Sequence, residues 1–196
     1  IITGNKEVKD YEIIEAANLK NYPSFISINK SKITKTLKQN PFIKDVQIKK
    51  NLKFQITINV TEEKVVAYNL TNQSYLLSNG TYINDKNFLG VPQLNNYTPE
   101  DVLKNFAEEL GKLDEDIIAD ISEIEYSPSK NETGETIDST RFKLKMKDGN
   151  TVYINVKKCN VLSYYNQIYA SLKDKKGVLN LDSGNYERYV LTLYEE

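Results

Sequence analysis

NPFIKDVQIKKNLKFQITINVTE, residues 40–62, carries the clearest periodic signal in the chain. Phe54, Ile56, Ile58 and Val60 alternate with polar Gln55, Thr57, Asn59 and Thr61. Strict period two places alternate side chains on one face, which predicts a half-buried strand. Ile58, together with Ile56, is expected on the buried face. Before it, Ile43, Val46 and Ile48 approach a turn at Lys50-Asn51, so the stretch reads as a hairpin. Asn40-Pro41 ends a helix in which Ile33 and Leu37 lie one turn apart and Asn29 or Ser31 supplies the cap. Further upstream, Ile26 and Ile28 fall in a short extended piece. Val8, Tyr11, Ile13, Ile14 and Ala17 have helical spacing over residues 9–18. Lys9 stands where a capping side chain is wanted, which leaves that job to Asp10. Ile1–Thr3 reads as a short strand ended by Gly4-Asn5. The order is β-α-α-β-β.

Downstream the pattern changes. Val65–Leu70 and Ser74–Leu77 read as short strands, with a turn at Asn79-Gly80 and a further strand start at Thr81–Ile83. Thr98-Pro99-Glu100-Asp101 predicts a helix start with a capping hydroxyl, proline in the first helical position and acids in the first turn. Its apolar stripe is Val102, Leu103, Phe106, Ala107, Leu110 and Leu113. Ile117, Ile118 and Ile121 continue in a second short helix, followed by a strand at Ile124–Tyr126 and a polar loop over Ser127–Ser139. Phe142, Leu144 and Met146 alternate with lysines, and Asp148-Gly149 turns the chain into Val152–Val156. A last amphipathic helix covers residues 161–174, with lysines in its final turn and Gly177 as C-cap. Val178–Leu181 and Tyr186–Tyr194 form the two final strands. No internal repeat is present.

Composition narrows the chemistry. The 196 residues contain no histidine and one cysteine, Cys159. Histidine-based triads, histidine-containing metal sites, internal disulfides and cysteine-cluster metal sites are excluded together. The basic residues are 24 Lys and 2 Arg, against 27 acids. Lys, Asn and Ile share AT-rich codons, so the lysine content is not read as nucleic-acid binding. Its distribution carries more. Residues 1–64 hold 12 Lys against 7 acids, net +5, and residues 65–196 hold 14 basic against 20 acidic groups, net −6. A change at residue 64 predicts two modules, 1–64 and 65–196. The first either sits beside an anionic membrane surface or presents a solvated lysine face. No apolar stretch approaches the ~20 residues of a membrane span.

Several motifs resemble one family in its order along the chain. Gly4-Asn5 with Val8 resembles a G-N-x-x-V opening, and Asn40-Pro41-x-Ile43-x-x-Val46 with Lys49-Lys50 a helix exit and hairpin. Ile56-x-Ile58-x-Val60-x-Glu62 resembles a strand ending in V-x-E. Val65-Val66-Ala67-Tyr68, Tyr75-Leu76-Leu77-Ser78-Asn79-Gly80, Leu89-Gly90-Val91-Pro92 and Leu179-Asn180-Leu181-Asp182 with Gly184 complete the series. The order resembles the extracytoplasmic region of the FtsQ/DivIB family of bacterial division proteins. Lys9, Lys53, Ser78 and Asn180 depart from its pattern. The resemblance implies an α+β chain: a membrane-proximal POTRA domain at 1–64, then a larger mixed β-domain at 65–196 with an antiparallel sheet and about three helices. It also implies a single membrane-spanning helix upstream, consistent with a chain that begins Ile1-Ile2-Thr3-Gly4 inside a strand. The implied function is a non-enzymatic divisome scaffold without cofactor or metal. Its partners would be FtsL/DivIC- or FtsL/FtsB-type small coiled-coil membrane proteins and, through them, septal peptidoglycan synthesis. The alternative is a POTRA-bearing secretion or membrane-assembly component that binds polypeptide by strand addition.

Candidate chemistry is sparse. The acidic pairs Glu62-Glu63, Glu108-Glu109, Asp114 with Asp116 and Glu195-Glu196 are common in so acidic a chain, and a two-carboxylate hydrolase would need a pair ~5–10 Å apart. Glu62 is expected to bond locally or to orient the second module. Ser127–Ser139 lacks EF-hand spacing. Cys159 follows two lysines before a helix start, a setting that can lower a thiol pKa. Without a base or a resolving thiol it reads as a half-buried structural cysteine. The final strand is the candidate partner site. Tyr186, Arg188, Val190, Thr192 and Tyr194 would point one way and Glu187, Tyr189, Leu191 and Leu193 the other, with no edge-blunting Lys or Pro. Either it is buried on both faces or it is an edge open to a partner strand, supported by the 161–174 helix.

Overall fold

A computed structural model describes all residues except Tyr22, Asp85, 172–174, 184–189, 195 and 196. The chain divides into two compact units, Ile1–Lys64 and Val65–Glu196.

The first unit runs β1 (Ile2–Thr3), α1 (Asp10–Ala16), a 3-10 turn (Phe25–Ser27), α2 (Lys30–Leu37), β2 (Ile43–Lys50) and β3 (Ile56–Glu62). Its sheet order is β1-β3-β2, with β1 parallel and β2 antiparallel to the central β3. Val46 lies opposite Val60, and Ile48 opposite Ile58, so the apolar positions of both strands share a face. Val46, Val60 and Ile58 are buried with Ile13 of α1 and Ile33 and Leu37 of α2. Ile43 and Val46 are three apart, which would set them on opposite faces of a regular strand. A bulge between Ile43 and Asp45 lets both point inward. Ile56 is half-buried, and Phe54 lies before the strand, exposed, with φ of +56°.

One local expectation is corrected here and two open choices are settled. Residues 25–27 form a 3-10 turn, not an extended piece. Asp10 is the first residue of α1 rather than its cap, and its carboxylate accepts from Asn5. The start of α1 is held from inside instead, the Glu12 carboxylate accepting the Lys9 N–H at 2.7 Å. For α2, of the two candidates, Asn29 is the cap and accepts from the Lys32 N–H at 3.1 Å.

The second unit continues with β4 (Val65–Asn69), β5 (Ser74–Leu77), β6 (Tyr82–Ile83), β7 (Gln93–Leu94), α3 (Glu100–Leu110), α4 (Glu115–Ala119) and β8 (Ile121–Tyr126). Then follow β9 (Ser129–Lys130), β10 (Thr136–Asp138), β11 (Arg141–Met146), β12 (Thr151–Asn155), a 3-10 segment (Val156–Tyr164), α5 (Tyr165–Ser171), β13 (Gly177–Asn180) and β14 (Val190–Leu193). Among the described residues one nine-stranded mixed sheet has the order β14-β13-β12-β11-β8-β7-β4-β5-β6. Of its three parallel joins, β4 to β7, β7 to β8 and β12 to β13, the last two are made by the helical crossovers. Phe106 of α3 stacks on Phe142 of β11 at 3.8 Å, seating the helix on the sheet. The core around them includes Leu110, Ile118, Ile124, Leu144, Ile154, Leu162 and Leu179. On β11, Lys143 and Lys145 lie opposite Glu125 and Glu123 of β8, at 3.3 and 2.9 Å.

Four further expectations change. α3 begins at Glu100 with Pro99 as N-cap, and the Thr98 hydroxyl is buried with no hydrogen-bond partner among the described residues. Ile121 belongs to β8, not to the helix before it, because a bulge in β8 brings Ile121 and Ile124 to one face. Residues 127–139 contain the β9–β10 hairpin, with the Asn131 side chain accepting from the Thr133 and Glu135 amides across its turn. The helix expected over 161–174 is, as far as Ser171, the end of a 3-10 segment that passes into α5, residues 172–174 lying outside the described residues, and Gly177 opens β13 rather than capping a helix.

Candidate partner-binding edge

The site is built from the end of the chain that closes the large sheet. β13 adds in parallel beside β12, Thr151 opposite Val178 and Tyr153 opposite Asn180. β14 then pairs antiparallel with β13 through Gly177↔Leu193, Val178↔Thr192, Leu179↔Leu191 and Asn180↔Val190. Gly177 is needed at the start of this pair. A Cβ there would stand 2.1 Å from the Thr192 carbonyl oxygen and 2.9 Å from Leu193 Cα, both backbone.

Two polar clusters fix β13. At its start, the buried Asn150 side chain accepts from the Gly177 N–H at 2.9 Å and donates to the Tyr165 hydroxyl at 3.2 Å. The same hydroxyl donates to Asp148 at 2.7 Å. Burial, then the bond to Asp148, pushes the Tyr165 phenol far above its usual range. The turn after β11, whose Gly149 has φ of +96°, is thereby tied both to α5 and to the last strand pair. After the other end of β13, Asp182 accepts from Arg141 Nε at 2.6 Å, and the guanidinium lies 3.7 Å from the Tyr153 ring centre. The Asp182 Oδ1 is buried without a partner among the described residues. Nearby, Asp138 accepts from Thr140 and Asn155. Its burial acts to raise the carboxyl pKa, but those hydrogen bonds, helped by the Arg141 charge, outweigh it and hold the group below the usual range. A third tie crosses the edge directly, the Tyr194 hydroxyl donating to Thr151 Oγ1 at 2.7 Å.

Of the residues read from sequence as partner-binding, Tyr186, Glu187, Arg188 and Tyr189 lie outside the described residues. Val190, Leu191 and Leu193 are in β14. Leu191 is half-buried against the core, and Leu193 and Tyr194 are exposed. Among the described residues β14 pairs only with β13, which makes it the sheet's edge. In the supporting helix Val161, Leu162 and Tyr165 are buried in the core, while Tyr164, Asn166 and Gln167 are exposed. Sequence reasoning missed Arg141, Asp182, Asn150 and Tyr165. Asp182 stood in a quoted motif and Arg141 was one of two arginines, but nothing in the linear sequence joined them.

The other candidates resolve into structure. Cys159 is wholly buried, not half-buried, and burial pushes its thiol up to about 12, so no thiolate forms at neutral pH. Glu62 bonds within its own unit, accepting from the Glu7 and Val8 N–H groups at 2.8 and 2.9 Å. Among the described residues no group of three or more Asp, Glu, Cys or His side chains could hold a metal ion.

This arrangement defines a POTRA-bearing class of protein: residues 1–63 match the family described as POTRA domain, FtsQ-type. Over 193 residues the chain is 30% identical to the cell division protein DivIB of Listeria monocytogenes, covering 94% of this chain and 69% of that protein. It is 31% identical to DivIB of Bacillus subtilis, covering 94% and 71%. The chain belongs to the DivIB family of cell division proteins. A solved structure, the trans isomer of the major extracytoplasmic domain of DivIB from Geobacillus stearothermophilus, matches 58% of this chain and 96% of that chain at 24% identity, with a TM-score of 0.45.

Proposed function

We propose that this chain acts outside the cytoplasmic membrane as a non-enzymatic scaffold of the division machinery. Its β14 edge receives a strand from a small coiled-coil partner of the FtsL/DivIC type, and through it influences septal peptidoglycan synthesis. The first unit lies beside the membrane. The observation that carries the reading is β14 itself, four residues paired on one side only among the described residues, with Leu193 exposed and Leu191 half-buried. Backbone groups on an open edge supply a sequence-tolerant attachment, and the alternating side chains supply selectivity. Family membership supports the division role. The net charge of +5 over residues 1–64 supports proximity to an anionic surface.

The test is a pull-down of an FtsL/DivIC-type partner with the full chain and with a chain lacking residues 186–196, circular dichroism being recorded on both. Loss of capture by a folded truncation is expected. Undiminished capture by that truncation places the partner elsewhere and ends the reading.

A further inference from the structure

One end of the first sheet carries an apolar tip. The turn between β2 and β3 projects Leu52, fully exposed, and Phe54, 76% exposed, and the neighbouring 3-10 turn adds Ile26 at 89%. Isolated surface leucines need no explanation, but three large apolar groups on two adjoining turns do. The turn is fixed in this form. Asn51 Oδ1 accepts from the Lys53 and Gln55 amides at 2.9 and 3.0 Å, and the Asn51 N–H reaches the Gln55 carbonyl at 3.1 Å. Phe54 is held at φ of +56°, a conformation that bulky residues avoid unless the surroundings impose it. Its ring meets Phe25 edge-on at 5.4 Å. Lys50 Nζ donates to the Phe25 and Ile28 carbonyls, both at 2.8 Å, lashing the second turn to the end of β2. Behind the tip is an apolar cleft of about 320 Å³ lined by Ile1, Ile14, Phe25, Phe54 and Ile56.

The charge around the tip has one sign. Residues 16–44 and 46–61, which include both turns and the strand ends beneath them, contain no acidic residue. Lys20, Lys30, Lys32, Lys49, Lys50 and Lys53 all lie there, Lys20 paired with Glu15 of α1. Asp45, Glu62 and Glu63 sit toward the opposite end of β2 and β3, where Glu62 holds the Glu7–Val8 backbone. An exposed apolar tip beside Lys50 and Lys53, in a stretch whose charged residues are all lysines, is complementary to an anionic bilayer: the lysines meet phosphate and the apolar groups enter the headgroup–acyl boundary.

We infer that Ile26, Leu52 and Phe54 insert into an anionic lipid surface, with the surrounding lysines at headgroup level. This rests on the membrane-surface reading proposed above and assigns it to particular side chains. The chain contains no tryptophan, so a Leu52→Trp variant carries a single reporter. The full 196-residue chain is mixed at low salt with phosphatidylcholine vesicles, with and without phosphatidylglycerol. Expected are cosedimentation with the phosphatidylglycerol vesicles, a blue shift of the Leu52→Trp emission and its quenching by lipids brominated near the headgroup. A Tyr97→Trp variant, whose position is exposed in the second unit, should show neither optical change. A Leu52→Ser/Phe54→Ser variant with an unchanged dichroism spectrum should bind more weakly by roughly tenfold or more, the ratio expected when an apolar side chain is withheld from the lipid. Cosedimentation without blue shift, and with the double variant binding as well as the parent, overturns insertion while leaving the electrostatic reading intact. Failure to cosediment with either vesicle overturns both.

Discussion

The two sheets end in different ways. β2, at the edge of the first sheet, carries a bulge and presents Lys44, Gln47 and Lys49 outward, while Ile43 and Val46 anchor it in the core. Bulges and lysines are the usual means of discouraging a further strand. β14 has no lysine among its four residues, a half-buried Leu191 and an exposed Leu193. Among the described residues its hold is a short backbone ladder, the packing of Leu191 and the Tyr194–Thr151 bond. One edge is held by buried side chains and closed to additions. The other is held mainly through its backbone, with Leu191 packed on the core, and stands to bury apolar surface if a neighbour arrives. If β14 receives a partner strand as proposed, stability and recruitment are carried by different edges, and substitutions can separate them.

The largest effect is expected where side chains do the holding. Ile58, 2% exposed on the central strand, faces Ile48 and the helices. Ile58→Ala should cost ~2–5 kcal/mol through lost transfer energy and the cavity left behind. Denaturant titration followed by circular dichroism reads it. A midpoint unchanged from the parent would mean that the first sheet does not depend on its apolar face. Next is Gly177→Ala, which drives a methyl group into the Thr192–Leu193 backbone. Overpacking of that kind costs about 1–3 kcal/mol. The strain can be relieved by release of β14, so partner capture should fall further than the stability of the remaining sheet. Equal losses in both would tie β14 to the core as firmly as β2 is.

A pH effect isolates the second unit. The Cys159 thiol has its ordinary pKa near 9.0 in the unfolded chain and about 12 when buried. The unfolded state sheds its proton first, so stability conferred by burying the neutral thiol is complete below pH 9.0 and falls as pH rises toward 12. The slope is about 1.4 kcal/mol per pH unit within that window. Cys159→Ala should flatten this part of the stability–pH curve, and iodoacetamide should label the parent at neutral pH only after denaturant is added. Prompt labelling of the folded protein would remove the claim.

These tests depend on features that were unequally legible in the sequence. The Ile56–Val60 strand was plain because one periodicity governed it. Ile121 reads as helical because it stands three or four residues from Ile117 and Ile118, a helical spacing. A bulge in β8 produces the same spacing between Ile121 and Ile124, and single-sequence patterns do not distinguish the two. The 3-10 segment over Val156–Tyr164 hid for a related reason, since its buried Cys159 and Leu162 are three apart and fit either helix. Thr98-Pro99 reads as cap and first helical residue by local preference, but Pro99 itself takes the N-cap position and the buried Thr98 hydroxyl makes no capping bond. The candidate site was legible only as a tyrosine-rich final strand without lysine. What fixes its geometry joins residues 41 apart (Arg141 and Asp182) and 27 apart (Asn150 and Gly177), distances over which sequence pattern carries no pairing information.

A smaller effect tests the polar pin. Tyr165→Phe removes the donor to Asp148 and the acceptor for Asn150 while keeping the ring in the core. Asn150 retains its bond from Gly177, so the cost should be about 1–2 kcal/mol, the range for a lost buried hydrogen bond. Thermal melting should show the loss, and hydrogen exchange should quicken at the Gly177 amide before it does at the amides of β11. Uniform quickening across the sheet would make Tyr165 a general core residue and not the pin of the last strand pair.

The smallest effect on folding separates the edges most sharply. Leu193 is 47% exposed, so Leu193→Asp removes far less buried area than Ile58→Ala and should change stability by no more than about 1 kcal/mol. A charge on an edge strand, however, sets a desolvation cost against any strand that pairs there and removes apolar area that the partner would cover. Capture of an FtsL/DivIC-type partner should therefore fall steeply in a protein whose melting curve is almost unchanged. Gln47→Asp places the same charge on the exposed outer part of β2 and should alter neither quantity. If Leu193→Asp lowers the melting temperature as Ile58→Ala does, β14 is part of the core. If capture survives in a folded Leu193→Asp chain, the open edge is not the recruiting one. Loss with Gln47→Asp as well would place recognition on the first sheet, reversing the division of labour drawn from the two edges.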